Sequence, residues 1–229
     1  MASPHDVKKW VVSQTIPELD TRGTAVLSHV LANFSERYAP SLTKYASVCA
    51  AEFGVWSGSS ITRIAHCVPS NYQVFGFDSF EGLPEKWREG YDAGTFDTGG
   101  SLPPVPDNVT LIKGWFDQTL PQFCKTHGNC KVGLLHVDCD IYSSTKTVLE
   151  ELTKADMLVD GTVVVFDELF NYAGYEDHEA KALYEWTLDN PSWSLEWIGK
   201  LGTVVVDPPK HHDVCIDQPA AVVLRRKTP

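Results

Sequence analysis

The stretch HVDCDIYSST, residues 136–145, ends an apolar run with two aspartates, Asp138 and Asp140. A second apolar run, GTVVVFDELF at residues 161–170, ends in the same way with the Asp-Glu pair at 167–168. If the two runs are neighbouring strands, four carboxylates lie close together at one edge of a sheet. Crowded carboxylates repel one another, and burial makes their ionisation costly. The pattern therefore predicts a cation among them, either a hard metal ion or a positively charged cofactor.

Outward from these two runs, strands and helices alternate along the chain. Further apolar runs predict strands at 47–54, 72–78 and 109–114, in addition to those at 131–138 and 161–168. Amphipathic segments predict helices at 24–37, 59–67, 116–128, 143–155 and 176–188. This order is typical of a parallel sheet with helices on both faces. Two last strands, 194–202 and 220–227, are separated only by a loop, which predicts a terminal antiparallel hairpin.

Two of the predicted helices carry local signals about their ends. Ser143 or Ser144 is expected to cap the helix that follows the first acidic pair, because serine is a favoured N-cap residue. Pro121 is expected to be tolerated only near the first turns of its helix, since proline cannot donate a backbone hydrogen bond.

Composition narrows the classes of function. The chain has 229 residues, 43% hydrophobic and 21% charged, which fits one packed α/β domain. Its formal charge of -11 disfavours nucleic acid and anionic membranes as partners. The chain starts without the pattern of a secretory signal and has no apolar run of membrane-spanning length, so we expect a soluble, cytoplasmic protein. Its six irregularly spaced cysteines are expected to be free thiols.

A long glycine- and proline-rich segment interrupts the alternation at residues 81–108. Loops of this length in a compact domain are usually functional or disordered. Trp87, Tyr91 and Phe96 favour an ordered lid or a substrate wall.

The segment AEFGVWSGSS, residues 51–60, follows the first predicted strand of the sheet. Gly54 and Gly58 would let the backbone turn tightly beside a ligand, and Ser59 would lie at a helix N-terminus that suits an anion. The spacing G-x-x-x-G differs from the dinucleotide fingerprint G-x-G-x-x-G. An ordinary strand-to-helix turn is the alternative interpretation.

Other strand ends supply further candidates. Asp78, roughly 20 residues beyond the glycine turn, could hold ribose hydroxyls or cap the following turn. Trp115 and Phe116 could face an adenine ring or belong to the core.

The remaining polar candidates are given more ordinary interpretations. We expect Asp140 to cap a helix or to be solvated, because strand alternation points it away from Asp138. His136 is interpreted as a satisfied core residue and His178 as a candidate substrate contact, whereas the histidines at 211–212 are expected in a surface loop.

The order of five motifs resembles that of the macrocin O-methyltransferase family, often called TylF/MycF-type enzymes. The likeness spans roughly residues 45–190 and is more specific than any single motif. The motifs are AEFGVWSGSS (51–60), FGFDSFEGLP (75–84), KGWFDQTLP (113–121), HVDCDIYSSTKTVL (136–149) and VVVFDELFNY (163–172).

The resemblance implies a fold and a domain layout. The fold would be the α/β, Rossmann-like class I methyltransferase fold, with a seven-stranded, mostly parallel sheet that ends in an antiparallel pair. A single domain would comprise an N-terminal helical segment (1–44), a cofactor-binding core (45–190) with its lid (81–108), and a C-terminal hairpin (191–229).

The resemblance also implies roles for individual residues. S-adenosylmethionine would be the methyl donor, Asp138 the catalytic base, and a divalent cation, magnesium, would be held by Asp138, Asp167 and Glu168. Relatives carry Asp-Asp or Asp-Asn where this chain has Asp167-Glu168, and the longer glutamate changes the coordination geometry. The residues implied to contact the cofactor are Glu52, Gly54, Gly58, Ser59, Asp78, Ser79, Gly114, Trp115, Phe116 and Asp138.

The implied reaction is metal-assisted methylation of a hydroxyl on a sugar or glycosylated small molecule, with a catechol-like phenol left open. Nucleic acid and membranes are not expected as partners, and a homo-oligomer is left open.

Three alternative functions remain. They are a haloacid dehalogenase-type phosphatase with Asp138 as nucleophile and Asp140 as acid, an NAD-dependent oxidoreductase, and a non-catalytic S-adenosylmethionine-binding module.

Overall fold

The computed structural model describes residues 1–19, 25–209 and 217–227, in which seven strands form one sheet of order β3-β2-β1-β4-β5-β7-β6. The strands are β1 (Val48–Phe53), β2 (Gln73–Asp78), β3 (Val109–Lys113), β4 (Lys131–Val137), β5 (Leu158–Phe166), β6 (Trp193–Lys200) and β7 (Ala220–Arg226). The first five strands are parallel to one another, whereas β7 pairs antiparallel with both β5 and β6. The predicted Rossmann-like α/β fold with a terminal antiparallel pair is confirmed.

Within the described ranges, six α-helices cover the two faces of this sheet. They are α1 (Pro4–Ser13), α2 (Val26–Asn33), α3 (Ser59–Cys67), α4 (Phe116–His127), α5 (Tyr142–Lys154) and α6 (Glu179–Asp189). Side chains of α1, α4, α5 and α6 belong to one hydrophobic cluster, and those of α2 and α3 belong to the other. Among the described residues, no helix combines the length and the apolar character needed to span a membrane.

The apolar strands are explained by burial on both sides. In β1, Cys49, Ala51 and Phe53 pack in the cluster of α1, α4, α5 and α6, while Ala50 packs in the cluster of α2 and α3. Successive side chains therefore enter opposite cores, so the strand lacks the apolar-polar alternation of a strand with one exposed face. In the strand order, β2 and β3 follow β1 on one side, and β4 and β5 lie on its other side. β1 and β4 therefore meet at the switch point of the sheet. Ligands of open α/β sheets bind at this point.

Three helices, α2, α5 and α6, begin at residues other than those predicted. α2 starts at Val26 and gives way to a π-helical turn at Phe34–Tyr38, while Thr24 lies outside the described residues, as do Cys215 and the histidines at 211–212. α5 starts at Tyr142 with Ile141 as N-cap, so the predicted serine cap is wrong.

Pro121 lies in the second turn of α4, which agrees with the expected position near the first turns of the helix. α6 starts at Glu179, after a 3-10 turn at Tyr175–Asp177, rather than at Glu176.

Residues 81–108 fold back on themselves between β2 and β3. The backbone N–H of Leu83 donates to Thr95 O (2.9 Å), and that of Gly94 donates to Leu83 O (2.9 Å). Trp87 is buried and packs edge-on against Tyr172, with ring centroids 5.5 Å apart. The segment is thereby fixed against the loop that follows β5.

Candidate active site

A cavity of about 850 Å³ opens beyond the carboxyl ends of the parallel strands. Its walls come from the turn after β1, the segment after β2, the start of α4 and the loops after β4 and β5. Gly82, Leu83, Pro84 and Phe96 of the 81–108 segment close one side of the cavity. The loops that carry the predicted motifs thus meet around one space.

Gly54 brings the turn after β1 against the end of β4. Its φ is +93°, and a Cβ atom added there would lie 1.7 Å from the carbonyl oxygen of Asp138. Any side chain would therefore displace one of the two loops, in addition to straining the backbone. Gly54 is required both by its conformation and by this close approach.

Asp78 fixes the same turn from β2. Its Oδ2 accepts hydrogen bonds from the backbone N–H groups of Val55 (2.8 Å) and Trp56 (2.7 Å), and its Oδ1 accepts one from Phe80 (2.6 Å). Asp78 therefore caps the turn that follows β2, as the alternative interpretation of this residue predicted. Because Asp78 also lines the cavity, the two interpretations are compatible.

Asp138, Asp167 and Glu168 form a carboxylate triad at the base of the cavity. They offer carboxylate oxygens that all lie within 4.8 Å of one another. Burial, together with the charge of Asp167, raises the pKa of Asp138 well above its ordinary value. Burial and the charge of Asp138 do the same to the pKa of Glu168. The mutual repulsion predicted for these strand ends is present.

His136 connects the triad to the interior of the sheet. Its Nδ1 lies 2.8 Å from Glu52 Oε1, and its Nε2 lies 3.8 Å from Asp167 Oδ1. Burial opposes charging of the ring, but Asp167 and Glu52 raise the pKa of His136 well above its ordinary value. His136 thus lies between two carboxylates, and its interaction with Asp167 helps to lower the pKa of that carboxyl despite burial. Because His136 also lines the cavity, its interpretation as only a core residue is incomplete.

Asp140 departs from its predicted position. The residue has φ +62°, is 6% exposed and lines the same cavity, and it does not cap α5. A left-handed residue breaks strand alternation, so the argument that pointed this side chain towards solvent does not hold. Burial, opposed by the charge of Arg88, raises the pKa of Asp140 to about 7.

Glu179 is a buried acidic residue near the triad that sequence reasoning missed. It is fully buried, and neither of its carboxylate oxygens has a hydrogen-bond partner among the described residues. Burial, followed by the charges of Asp140 and Asp138, raises the pKa of Glu179 well above its ordinary value. A signal was present, because Glu179 shares helical spacing with the buried Leu183 and Trp186 on the apolar face of α6.

The cavity brings together most of the residues proposed from sequence. Seven of the cofactor candidates and all three metal candidates line it, whereas Glu52, Gly58 and Gly114 do not. Glu52 is instead buried beneath the cavity and pairs with His136. His178 does not line the cavity and precedes α6. The lining cofactor candidates are Gly54, Ser59, Asp78, Ser79, Trp115, Phe116 and Asp138.

The triad fits a hard divalent cation by its chemistry. Three carboxylates converge, and Glu168 Oε2 is buried without a hydrogen-bond partner among the described residues. Carboxylate oxygens are the preferred ligands of magnesium and calcium. His136 lies beside the triad, and its ring nitrogens already face Glu52 and Asp167.

Several solved structures share this architecture. The calicheamicin methyltransferase CalS11 superposes with a TM-score of 0.55 at 20% identity, over 96% of this chain and 90% of that chain. Its apo structure, described as a TDP-rhamnose 3'-O-methyltransferase, gives 0.51 at 22% identity, over 96% and 92%. An O-methyltransferase from Bacillus cereus in complex with SAH gives 0.50 at 16% identity, over 96% and 88%. At these identities the likeness establishes the fold.

A search of curated proteins finds no match to this chain. A family model described as a methyltransferase domain, by contrast, matches residues 51–169, which include the glycine turn, Asp78 and all three carboxylates of the triad. That span is more than half of the chain, and it ends just beyond the triad. The chain belongs to this family of methyltransferase domains.

Proposed function

We propose that the protein is an S-adenosylmethionine-dependent O-methyltransferase of the macrocin type, which methylates a hydroxyl of a sugar or glycosylated small molecule. The observation that carries the proposal is the carboxylate triad at the base of the cavity, directly against the glycine turn of a methyltransferase domain. Family membership favours this function over the phosphatase and the oxidoreductase.

The donor is assigned to the side of the cavity formed by β1, β2 and the start of α4. The N-terminus of α3, with Ser59, suits the carboxylate of the methionine part. Asp78 suits the ribose, and Trp115 and Phe116 suit the adenine. The B. cereus neighbour, solved with SAH, supports S-adenosylmethionine as the donor.

Asp138 is assigned as the general base for the acceptor hydroxyl. Transfer from a sulfonium is an in-line displacement, so orientation of the acceptor oxygen supplies much of the rate. A sugar hydroxyl is a poor nucleophile until its proton is removed. Asp138 lies at the base of the cavity beside the glycine turn, which suits it to accept this proton. The contact between its main chain and Gly54 aligns the base with the donor side.

Asp138, Asp167 and Glu168 would hold the divalent cation, for which we propose magnesium. Bound there, the cation supplies charge that lowers the pKa of the acceptor hydroxyl. His136 keeps Asp167 ionised and oriented, since it approaches that carboxylate from below the cavity. The sugar acceptor is supported by the TDP-rhamnose methyltransferase among the solved neighbours.

A methyl-donor assay tests the proposal. Purified protein is incubated with labelled S-adenosylmethionine and a panel of sugars, glycosides and catechols, with and without EDTA. We expect label in a glycoside, loss of transfer with EDTA and recovery with added magnesium. Binding of S-adenosylmethionine without transfer to any acceptor would favour the non-catalytic module. Full activity in EDTA would refute the proposed requirement for a divalent cation.

A further inference from the structure

The loop that carries two of the three triad carboxylates has no regular secondary structure. Asp167 and Glu168 follow β5, and the chain forms neither a helix nor a strand again until the 3-10 turn at Tyr175–Asp177. Regular backbone hydrogen bonds therefore do not fix residues 167–174, which we call the acid loop. Because the triad carboxylates repel one another, the acid loop would move away from Asp138 unless other contacts held it.

Two sets of backbone hydrogen bonds hold the acid loop. At its start, the backbone N–H of Asp167 donates to Val137 O of β4 (2.9–3.0 Å class of bond, here 3.0 Å). Further along, the backbone N–H groups of Leu169 and Phe170 both donate to Gln218 O, at 3.1 Å and 3.4 Å. Gln218 belongs to the connection between β6 and β7 rather than to a strand. The position of the carboxylates therefore depends on that connection as well as on the sheet.

Asn171 joins the β6–β7 connection to the acid loop. Its Nδ2 donates to Asp217 O (2.8 Å) and to Thr203 O (3.2 Å), and its Oδ1 accepts from the backbone N–H of Val205 (2.7 Å). The side chain is 5% exposed, so water competes little for these bonds. One amide thus binds both flanks of the connection and fixes the carbonyl of Gln218, the next residue after Asp217, against the acid loop.

The residue type at position 171 is restricted by both its backbone and its hydrogen bonds. Asn171 has φ +67°, in the left-handed region that asparagine, aspartate and glycine tolerate best. Of these three, only asparagine offers both the N–H donors and the acceptor that the three bonds require. Asn171 does not line the cavity, so it acts on the site through Asp167 and Glu168 rather than through contact with a substrate.

We propose that Asn171 is a positioning residue of the metal site. By holding the β6–β7 connection on the acid loop, it keeps Asp167 and Glu168 close enough to Asp138 for the three to bind one divalent cation. The inference rests on the metal-assisted mechanism of the proposed function and adds a residue to it. Replacing a residue that orients metal ligands typically weakens metal binding by about 10–100-fold.

Calorimetry of magnesium binding to the protein loaded with S-adenosylhomocysteine tests the inference. Asn171→Asp keeps an acceptor for Val205 but turns a carboxylate towards two carbonyls, and Asn171→Gly keeps the left-handed backbone but removes all three bonds. We expect both variants to bind magnesium about 10–100-fold more weakly. Their affinity for S-adenosylhomocysteine should stay within about threefold, because the donor is assigned to the opposite side of the cavity. Asn190→Asp is the matched control, since its Nδ2 donates to Trp186 O (2.9 Å) outside the cavity.

Urea unfolding of the same variants separates positioning from stability alone. A residue that only stabilises the fold would lower the free energy of unfolding and leave the magnesium affinity of the folded molecules unchanged. Unchanged magnesium affinity in either folded variant of Asn171 therefore overturns the inference, and Asn171→Gly decides alone if Asn171→Asp does not fold. A loss of magnesium affinity in Asn190→Asp as large as in the Asn171 variants would overturn it too. Absence of magnesium binding by the unsubstituted protein would instead refute the metal site of the proposed function.

Discussion

At the scale of single residues, the site depends on carboxylates to which their surroundings give different pKa values. Asp138 has a raised pKa and Asp167 a lowered one, although both belong to one triad. The difference follows from His136, which lies 3.8 Å from Asp167 and pairs with Glu52 on its other side. One carboxylate is thus disposed to accept a proton while its neighbour stays ionised.

Asp138→Asn should remove the base and preserve the shape of the site. We expect turnover to fall by about 10²–10⁴-fold, the usual contribution of general-base assistance. The affinity for S-adenosylmethionine should stay within about threefold in calorimetry. A variant with full turnover would refute the assignment of Asp138, and Asp189→Asn serves as a control because Asp189 is exposed at the end of α6 and does not line the cavity.

Asp140→Asn should stabilise the protein in the absence of ligands. The pKa of Asp140 is raised to about 7, which means that its ionised form is disfavoured in the folded state. An amide removes this charge, so we expect the free energy of unfolding at pH 8 to rise by about 1–3 kcal/mol. Urea denaturation at pH 8 and pH 5 checks the sign, because the gain should be much smaller at pH 5. Equal gains at both pH values would contradict the explanation.

At the scale of elements, the turn between β1 and α3 holds the end of β4 in place. Asp138 N–H donates to Phe53 O (2.9 Å), Gly54 N–H donates to Phe77 O (2.9 Å), and Gly54 lies against the Asp138 carbonyl. Three strand ends are therefore connected through main-chain contacts. Side chains, above all Asp78, then set the conformation of the turn itself.

Gly54→Ala should damage this connection far more than the backbone conformation alone would predict. Its Cβ would collide with the Asp138 carbonyl, whereas Gly174, with a similar φ of +89°, has nothing within 4 Å of a Cβ. We expect a loss of more than about 3 kcal/mol in the free energy of unfolding for Gly54→Ala and about 1 kcal/mol for Gly174→Ala. Denaturant unfolding of both variants measures the difference, and equal losses would show that the close contact is unimportant.

The central strands were largely predictable because β1, β2, β4 and β5 are buried on both faces and appear in the sequence as apolar runs. β1, β2 and β4 lie where the runs predict them, β5 begins earlier than predicted, at Leu158, and the acidic ends of β4 and β5 form the predicted cluster. The orientation of Asp140 was not predictable, since a left-handed residue after the strand reverses the side that alternation assigns. The link between Glu52 and His136 was missed because it joins residues 84 positions apart on neighbouring strands.

At the scale of the whole molecule, the excess of buried acids predicts how stability depends on pH. The pKa values of Asp138, Glu168 and Glu179 are all raised in the folded protein, chiefly by burial. Such groups ionise in the unfolded chain before they ionise in the folded one, so stability falls as pH rises above their ordinary values. The raised pKa of His136 acts in the same direction, because its stabilising charge is lost as pH rises through the folded pKa.

We therefore expect the ligand-free protein to melt at a lower temperature at pH 8 than at pH 6. Magnesium should raise the melting temperature more at pH 8 than at pH 6, because a cation at the triad favours the ionised carboxylates. Differential scanning calorimetry at both pH values, with magnesium or EDTA, measures this. Asp167→Asn should abolish most of the magnesium effect, and an effect that survives in this variant would place the ion elsewhere.

The meeting of Gly54 with the carbonyl of Asp138 has a consequence for how the protein could change its substrate. The alignment of donor and acceptor is set by the main chain of the sheet, whereas Trp56 and the 81–108 segment form the outer wall of the cavity. The outer wall can therefore diversify while the reacting atoms keep their alignment. Grafting a different wall onto this scaffold should redirect the reaction to new acceptors and leave donor binding intact.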